Sequence, residues 1–443
     1  MTNTEEKVRK ETAWSVAIAM GLLAVHALAE KSTIGRKLES WSYEVLMGAV
    51  PAPTKRLPIV VVDIGSNFDE GVDERVNMTK LAGLLDEVAQ QDPSAIGIDI
   101  DFGALPGSAG RYPDVQDKVV RKALALGNKG IHVFLTVGRG LSNSDSNTWL
   151  GRWNYADTTE KSKLLNLVTH PFAPKLEQSG EILLFDSIQL PASSKIGDVI
   201  SVPSLSQALA NAYRTAHNTQ STESVSWYLE PYAPEIQVAE TLGNQLENFP
   251  SSRYYVNTSA LDRLQARAIR VNGTGPIDKW STDLLPPAKS IFIIGSTAPN
   301  MYSGPIADTG IPDVYLHALG TYTRLFSPIY VVEYRIQILT SIVSVALPLI
   351  LVANIRRRYL RSGKDLQGRQ AATWSAAFLA IAAYCFAVFL ARMKGILWLD
   401  WMLILAFLLL HPGLEYNLFR LSAQISSTVR KYKGKESREV KPH

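Results

Sequence analysis

The sequence predicts an α/β domain with a mainly parallel sheet, carried on four transmembrane helices. Three observations predict it. A β-branched run, a helical run and a second apolar run succeed one another between Pro58 and Phe102. Four long apolar stretches bracket a large, more polar block. Basic charge gathers beside the last three stretches and not in the block.

The run Ile59–Val62 ends on Asp63. Met78–Gln90 places Leu81, Leu84, Leu85 and Val88 at the spacing of one helix face. Ala95–Ile100 is apolar, with Asp99 and Asp101 at its end. Strand, helix, strand over this length is a βαβ unit, whose two strands are expected to be parallel and adjacent. Both strands then deliver carboxylates to one edge of the sheet. Ligands of open parallel sheets bind at the carboxyl ends of strands, so that edge is the candidate site.

The apolar stretches are Trp14–Ala29, Ile336–Ala353, Ala371–Ala391 and Ile396–Leu410. Each approaches the roughly 20 residues that cross a bilayer. The net charge of +4 hides a strong asymmetry: residues 31–328 sum to −5 and residues 329–443 to +10. Arg356, Arg357, Arg358, Arg361, Lys364 and Arg369 crowd one loop, and Arg430, Lys431, Lys433 and Lys435 begin a basic tail. By the positive-inside bias both segments are cytoplasmic. The expected layout is a cytoplasmic N-terminus (1–12), a first span (13–30) and an extracytoplasmic domain (31–328). A second span (329–353), a basic cytoplasmic loop (354–370), spans at 371–391 and 395–411, and a cytoplasmic tail (412–443) follow. Arg392 and Lys394, in the short outer loop, run against the bias. The rival for the first stretch is a signal peptide cleaved after Ala27-Leu28-Ala29; Glu5, Glu6 and Glu11 in its charged region favour a retained anchor. The acidic domain excludes a nucleic-acid footprint. No span carries an acid or base at mid-depth, which argues against a transporter. Cys385 is the only cysteine, so no intrachain disulfide forms.

Other elements follow in order. Thr33–Ala49 has helical spacing and ends before Pro51 and Pro53. Val115–Leu126 reads as a helix and Ile131–Val137 as a buried strand. Residues 139–190 are polar and turn-rich, with Trp149 and Trp153 on a possible docking flap or a plain solvated loop. Glu181–Phe185, Ser224–Leu229 and Arg253–Val256 are strand candidates, and Ser204 caps a helix to Ala216. Ser290–Gly295 is the last strand, and Val314–Phe326 is a helix leading toward the second span.

Asp63, Asp99 and Asp101 together are suited to a cation or an amine. Strand-end aspartates more often cap the next turn. Gly295-Ser296-Thr297 would offer backbone N–H groups to an anion, or form a plain turn. His317 would reach the same edge, or simply pack; His132, at the start of a strand, is weaker still. No zinc motif and no G-x-S-x-G elbow occurs. No cofactor, metal or catalytic residue is expected.

IVVVDIGSNF, KLAGLLDEVAQQDPSAIGIDIDF, VPSLSQALANAY and IFIIGSTAPN…GIPDVYLHALGTYTRL resemble, in that order, blocks of the CHASE type 2 extracellular sensory domain. ESWSYEVLMGAVPAPTKRLP resembles the family's lead-in helix and proline turn. The resemblance covers about residues 35–410 and is weakest over 139–200. It implies an α/β sensor in a bacterial inner membrane, after one span and before three, feeding a cytoplasmic cyclase or kinase. It also implies a homodimer or higher homo-oligomer. The 33 residues after Leu410 are too few for such an enzyme, so the expected effector is a separate protein. The expected function is a receptor without enzyme activity for an unknown periplasmic ligand or protein. A membrane scaffold or pore-forming subunit is the alternative, and a hydrolase using the acidic edge a third reading.

Overall fold

This computed structural model describes residues 32–50, 56–65, 77–102, 113–136, 183–191, 199–219, 229–230, 233–242, 245–271, 289–297, 311–332 and 366–398, most of 163–169, and scattered positions elsewhere. The stretch with Trp149 and Trp153, the tail from Arg430, and all but a few positions of the first two apolar runs lie outside the described residues. The chain divides into two compact units, residues 47–331, and residues 1–46 with 332–443.

The larger unit is built on a six-stranded parallel sheet. Its strands are β1 (Ile59–Asp63), β2 (Ala95–Asp101), β3 (His132–Thr136), β4 (Val168–Thr169), β10 (Ile269–Arg270) and β11 (Ile291–Gly295). The order across the sheet is β10-β1-β11-β2-β3-β4. After a lead-in helix, α1 (Thr33–Gly48), the βαβ unit is present, with α2 (Met78–Ala89) as its crossover, and β1 and β2 are parallel. They are not adjacent, as the sequence led us to expect. β11 lies between them, pairing Ile59–Asp63 on one side and Ile291–Ile294 with Ala95–Ile98 on the other. The reason is burial: IFIIG is buried along its whole length, which suits a central strand covered on both faces.

Side-chain alternation sorts the sheet into two faces. Val60, Val62, Ile96, Ile98, Phe292 and Ile294 join one core with Leu81, Leu85 and Val88 of α2 and Val119 and Ala123 of α3 (Pro113–Gly127). The opposite face receives α4 (Leu205–Ala216) and α6 (Asp313–Phe326). Two glycines let these helices in. A Cβ on Gly97 would lie 2.9 Å from a Leu209 methyl of α4, and one on Gly295 would lie 2.9 Å from a Val314 methyl of α6. Local capping is as the sequence suggests for α4: Ser204 accepts from the Gln207 N–H at 3.1 Å. Asn77 does the same for α2, accepting from Lys80 N–H at 3.0 Å.

A second sheet of four antiparallel strands was not legible in the sequence. It comprises β5 (Leu183–Pro191), β6 (Val199–Pro203), β8 (Ala233–Leu242) and β9 (Gln245–Tyr255), in the order β6-β5-β9-β8. The candidate strands at Glu181 and Arg253 overlap β5 and β9; of Ser224–Leu229, residues 224–228 lie outside the described residues and Leu229 opens β7 (Leu229–Glu230). α5 (Leu261–Gln265) links this sheet back to β10. A short strand, β12 (Tyr330–Val332), follows α6, where a direct continuation into the second span was expected.

In the other unit, α7 (Leu366–Met393) contains the third apolar run. Phe378, Leu379 and Phe386 on it are 74%, 64% and 62% exposed. Tyr384 meets Trp398 edge to face at 5.7 Å. Arg392 is buried and donates through Nε to the Leu46 carbonyl at 3.1 Å, which accounts for a base so close to an apolar run. The fourth apolar run opens on a strand, β13 (Ile396–Leu397), and not on a helix. The side chains of residues 366–373 and 376 are not described. Among the described residues no helix is long and apolar enough to cross a membrane.

Candidate functional site

The carboxyl ends of β1, β11 and β2 lie side by side, and the first turns of α6 cover them. Alternation turns Asp63, Gly295 and Asp99 toward α6, because Val62, Ile294 and Ile98 face the other core. The absence of a side chain at Gly295 matters here: an added Cβ would sit 3.1 Å from Cβ of Asp99 as well as against Val314.

Asp63 is buried and fully engaged in holding the strand ends. Its Oδ1 accepts from the N–H groups of Thr297 and Gly65, both at 3.0 Å. Its Oδ2 accepts from Thr297 Oγ1. Arg270 Nε, at the end of β10, stands 3.8 Å from the same carboxylate but is largely exposed. Asp63 thus takes the capping role. The Thr297 N–H that would have met an anion is spent on it. Tyr315 of α6 stands near this clamp; burial raises its pKa, the Asp63 charge adds to the effect, and Arg270 opposes it.

Asp99 is placed differently. It is buried, and its Oδ1 lies 3.5 Å from Nε2 of the equally buried His317. Among the described residues, neither that oxygen nor His317 Nδ1 has a hydrogen-bond partner. Burial opposes a charge on His317, and the attraction of Asp99 and of Asp313 outweighs it, so the imidazole pKa is raised. The His317 carbonyl is held by Ser206 Oγ of α4 at 3.2 Å and by Thr321 Oγ1 at 2.8 Å.

Asp101 ends β2, but its side chain is not described. The sequence placed Asp99 and Asp101 on one face by strict alternation. Ile98, Ile100 and Phe102 all join the opposite core, as that alternation requires, and the pairing of β2 with β3 slips between Ile98 and Asp101. Ser296 is buried beside Gly295. Among the described residues no cluster of three His, Cys, Asp or Glu side chains is placed to hold a metal.

Sequence reasoning missed the second half of the arrangement. Every residue of α6 from Asp313 to Arg324 is buried. Near its C-terminal end Arg324 pairs with Asp186 of β5 and lies 4.1 Å over the Tyr254 ring of β9. Burial pushes the Tyr254 hydroxyl pKa up against the pull of Arg324. Arg214 of α4 donates to the Arg324 carbonyl at 2.7 Å. Asn257 N–H donates to Thr323 Oγ1 at 2.8 Å. A signal was available: an arginine inside an apolar helix must find a carboxylate if the helix is buried. The partner, 138 residues away, was not readable.

α6 is therefore an enclosed rod, fixed to the parallel sheet at one end and to the antiparallel sheet at the other. No curated protein and no solved structure matches the chain. The CHASE2 domain model matches residues 17–356, which include both sheets and α6, and the chain belongs to this family of sensory domains.

Proposed function

We propose that the chain is a receptor of the bacterial inner membrane, with its α/β domain outside the cytoplasm and four spans. The domain binds a periplasmic signal at the carboxyl edge of its parallel sheet and relays its state through the spans to a cytoplasmic effector. Binding and relay are its tasks, not catalysis. The observation that carries this reading is α6. It covers the candidate edge with its first turns, is enclosed along its length, and runs by way of β12 toward the second apolar stretch. A signal that favours one seating of α6 shifts the population of that seating.

The exposed Phe378, Leu379 and Phe386 of α7 support the membrane part, since lipid relieves the cost of showing such side chains to water. So does the basic excess of residues 329–443. The reading also expects self-association, as the family resemblance does.

Two measurements test it. Reporter fusions at residues 300, 362 and 430 are expected to give phosphatase activity at the first position and cytoplasmic fluorescence at the other two. The inverse pattern overturns the layout. Purification from native membranes in mild detergent, with mass spectrometry, is expected to recover a stoichiometric signalling enzyme. A homo-oligomer that conducts ions on reconstitution would instead make the chain a pore-forming or scaffold subunit.

A further inference from the structure

An imidazolium costs several kcal/mol to bury alone, and a buried carboxylate left without a cation costs as much. β2 and α6 bring one of each together where both are 3% exposed. With His317 neutral, the Asp99 oxygen at 3.5 Å faces at most a neutral N–H donor of the imidazole. With His317 protonated, the same contact becomes an ion pair across the seam between sheet and helix. Asp313, also buried, lies one helical turn before His317 on α6, the spacing at which an acid supports a following base.

We infer that the proton is a ligand of this domain: His317, between Asp99 of β2 and Asp313 of α6, takes up a proton that tightens α6 on the sheet. Proton binding stands by itself; its signalling consequence rests on the relay reading above.

Among the described residues the neighbouring elements add no competing charge. β11 contributes Gly295 to this seam. β1 contributes Asp63, which with Arg270 of β10 acts on Tyr315. α4 contributes the hydroxyl of Ser206, while its Arg214 engages the other end of α6. Asp262 and Arg263 of α5 are exposed. The charges that act on His317 are those of Asp99 and Asp313.

The direction of the response follows from linkage. The folded pKa of His317 lies above its unfolded value of about 6.5. Its contribution to stability is complete below the unfolded pKa and is lost as the pH rises through the folded one. Acid therefore seats α6, and alkalinisation loosens it.

Exchange of the histidine C2 hydrogen, followed by mass spectrometry on the full wild-type chain in detergent, reads this titration without a variant. The expected midpoint for His317 lies above about 6.5, each unit of difference meaning tenfold tighter proton binding. A midpoint at or below 6.5 overturns the proposal and leaves the relay reading to its own test. Amide exchange of residues 313–326, corrected for the intrinsic rate, is expected to be several-fold faster at pH 8.5 than at pH 6. In H317Q that difference should vanish. Equal protection of α6 at both pH values in the wild type would also overturn the proposal.

Discussion

Gly97 and Gly295 carry no chemistry, yet they decide whether the candidate edge exists. A Cβ at Gly295 meets Val314 and Asp99, and one at Gly97 meets Leu205 and Leu209. Overpacking of this kind costs roughly 1–3 kcal/mol. G295A is expected to displace the first turns of α6 and shift the titration midpoint of His317. G97A, which meets only α4, should lower the melting temperature without moving that midpoint. Asp63 has three accepted hydrogen bonds to lose. D63A is expected to cost at least about 2 kcal/mol by stranding buried donors, read by denaturant unfolding in detergent. D63N, which keeps one acceptor oxygen, should cost less. The identities of these residues were visible in the sequence, and the roles were only half visible. Asp63 and Asp99 stand at equivalent strand ends. One became a clamp because Thr297 and Gly65 present donors to it, and the other faces a histidine because α6 crosses above it. The Gly65 donor is local, but Thr297 and α6 lie more than 200 residues after the strand ends they meet, which no local pattern encodes.

The periodic elements were legible to within a few residues. Leu81, Leu84, Leu85 and Val88 are buried as their spacing requires, and Ser204 caps α4 as its position after Pro203 suggests. The antiparallel sheet was not legible, because its strands mix charged, polar and proline residues and are held by pairings between distant segments. The element with most at stake is α6. Its Arg324–Asp186 pair is largely buried, and removing one partner of a buried pair costs up to about 3–5 kcal/mol because the other charge remains. D186L or R324M alone is expected to show this loss in thermal unfolding. The double variant D186L/R324M should recover most of it, since an apolar pair of similar volume leaves no stranded charge. A double variant as unstable as the worse single one would show that the Tyr254 and Arg214 contacts, not the ion pair, hold this end of the helix.

At the scale of the whole molecule, charge asymmetry and apolar runs divided the chain, and the order of the parallel sheet eluded them. Adjacency of β1 and β2 is the simplest outcome of a single crossover, and a later strand overrode it. That insertion bears on how the chain matures. The strand that completes the middle of the sheet is the last of the six to be synthesised. Until residue 295 has emerged, β1 and β2 each present an open edge, a ready template for mispairing. Contacts separated by more than 200 residues also close slowly. A nascent domain must therefore wait, incomplete, through the making of the whole antiparallel sheet. Chains stopped at residue 290 are expected to be digested by limited trypsin treatment, whereas chains stopped at residue 332 should resist it. The domain thus matures all at once and late, so a ribosome that stalls anywhere before β11 yields a product marked for degradation and not a partly folded domain.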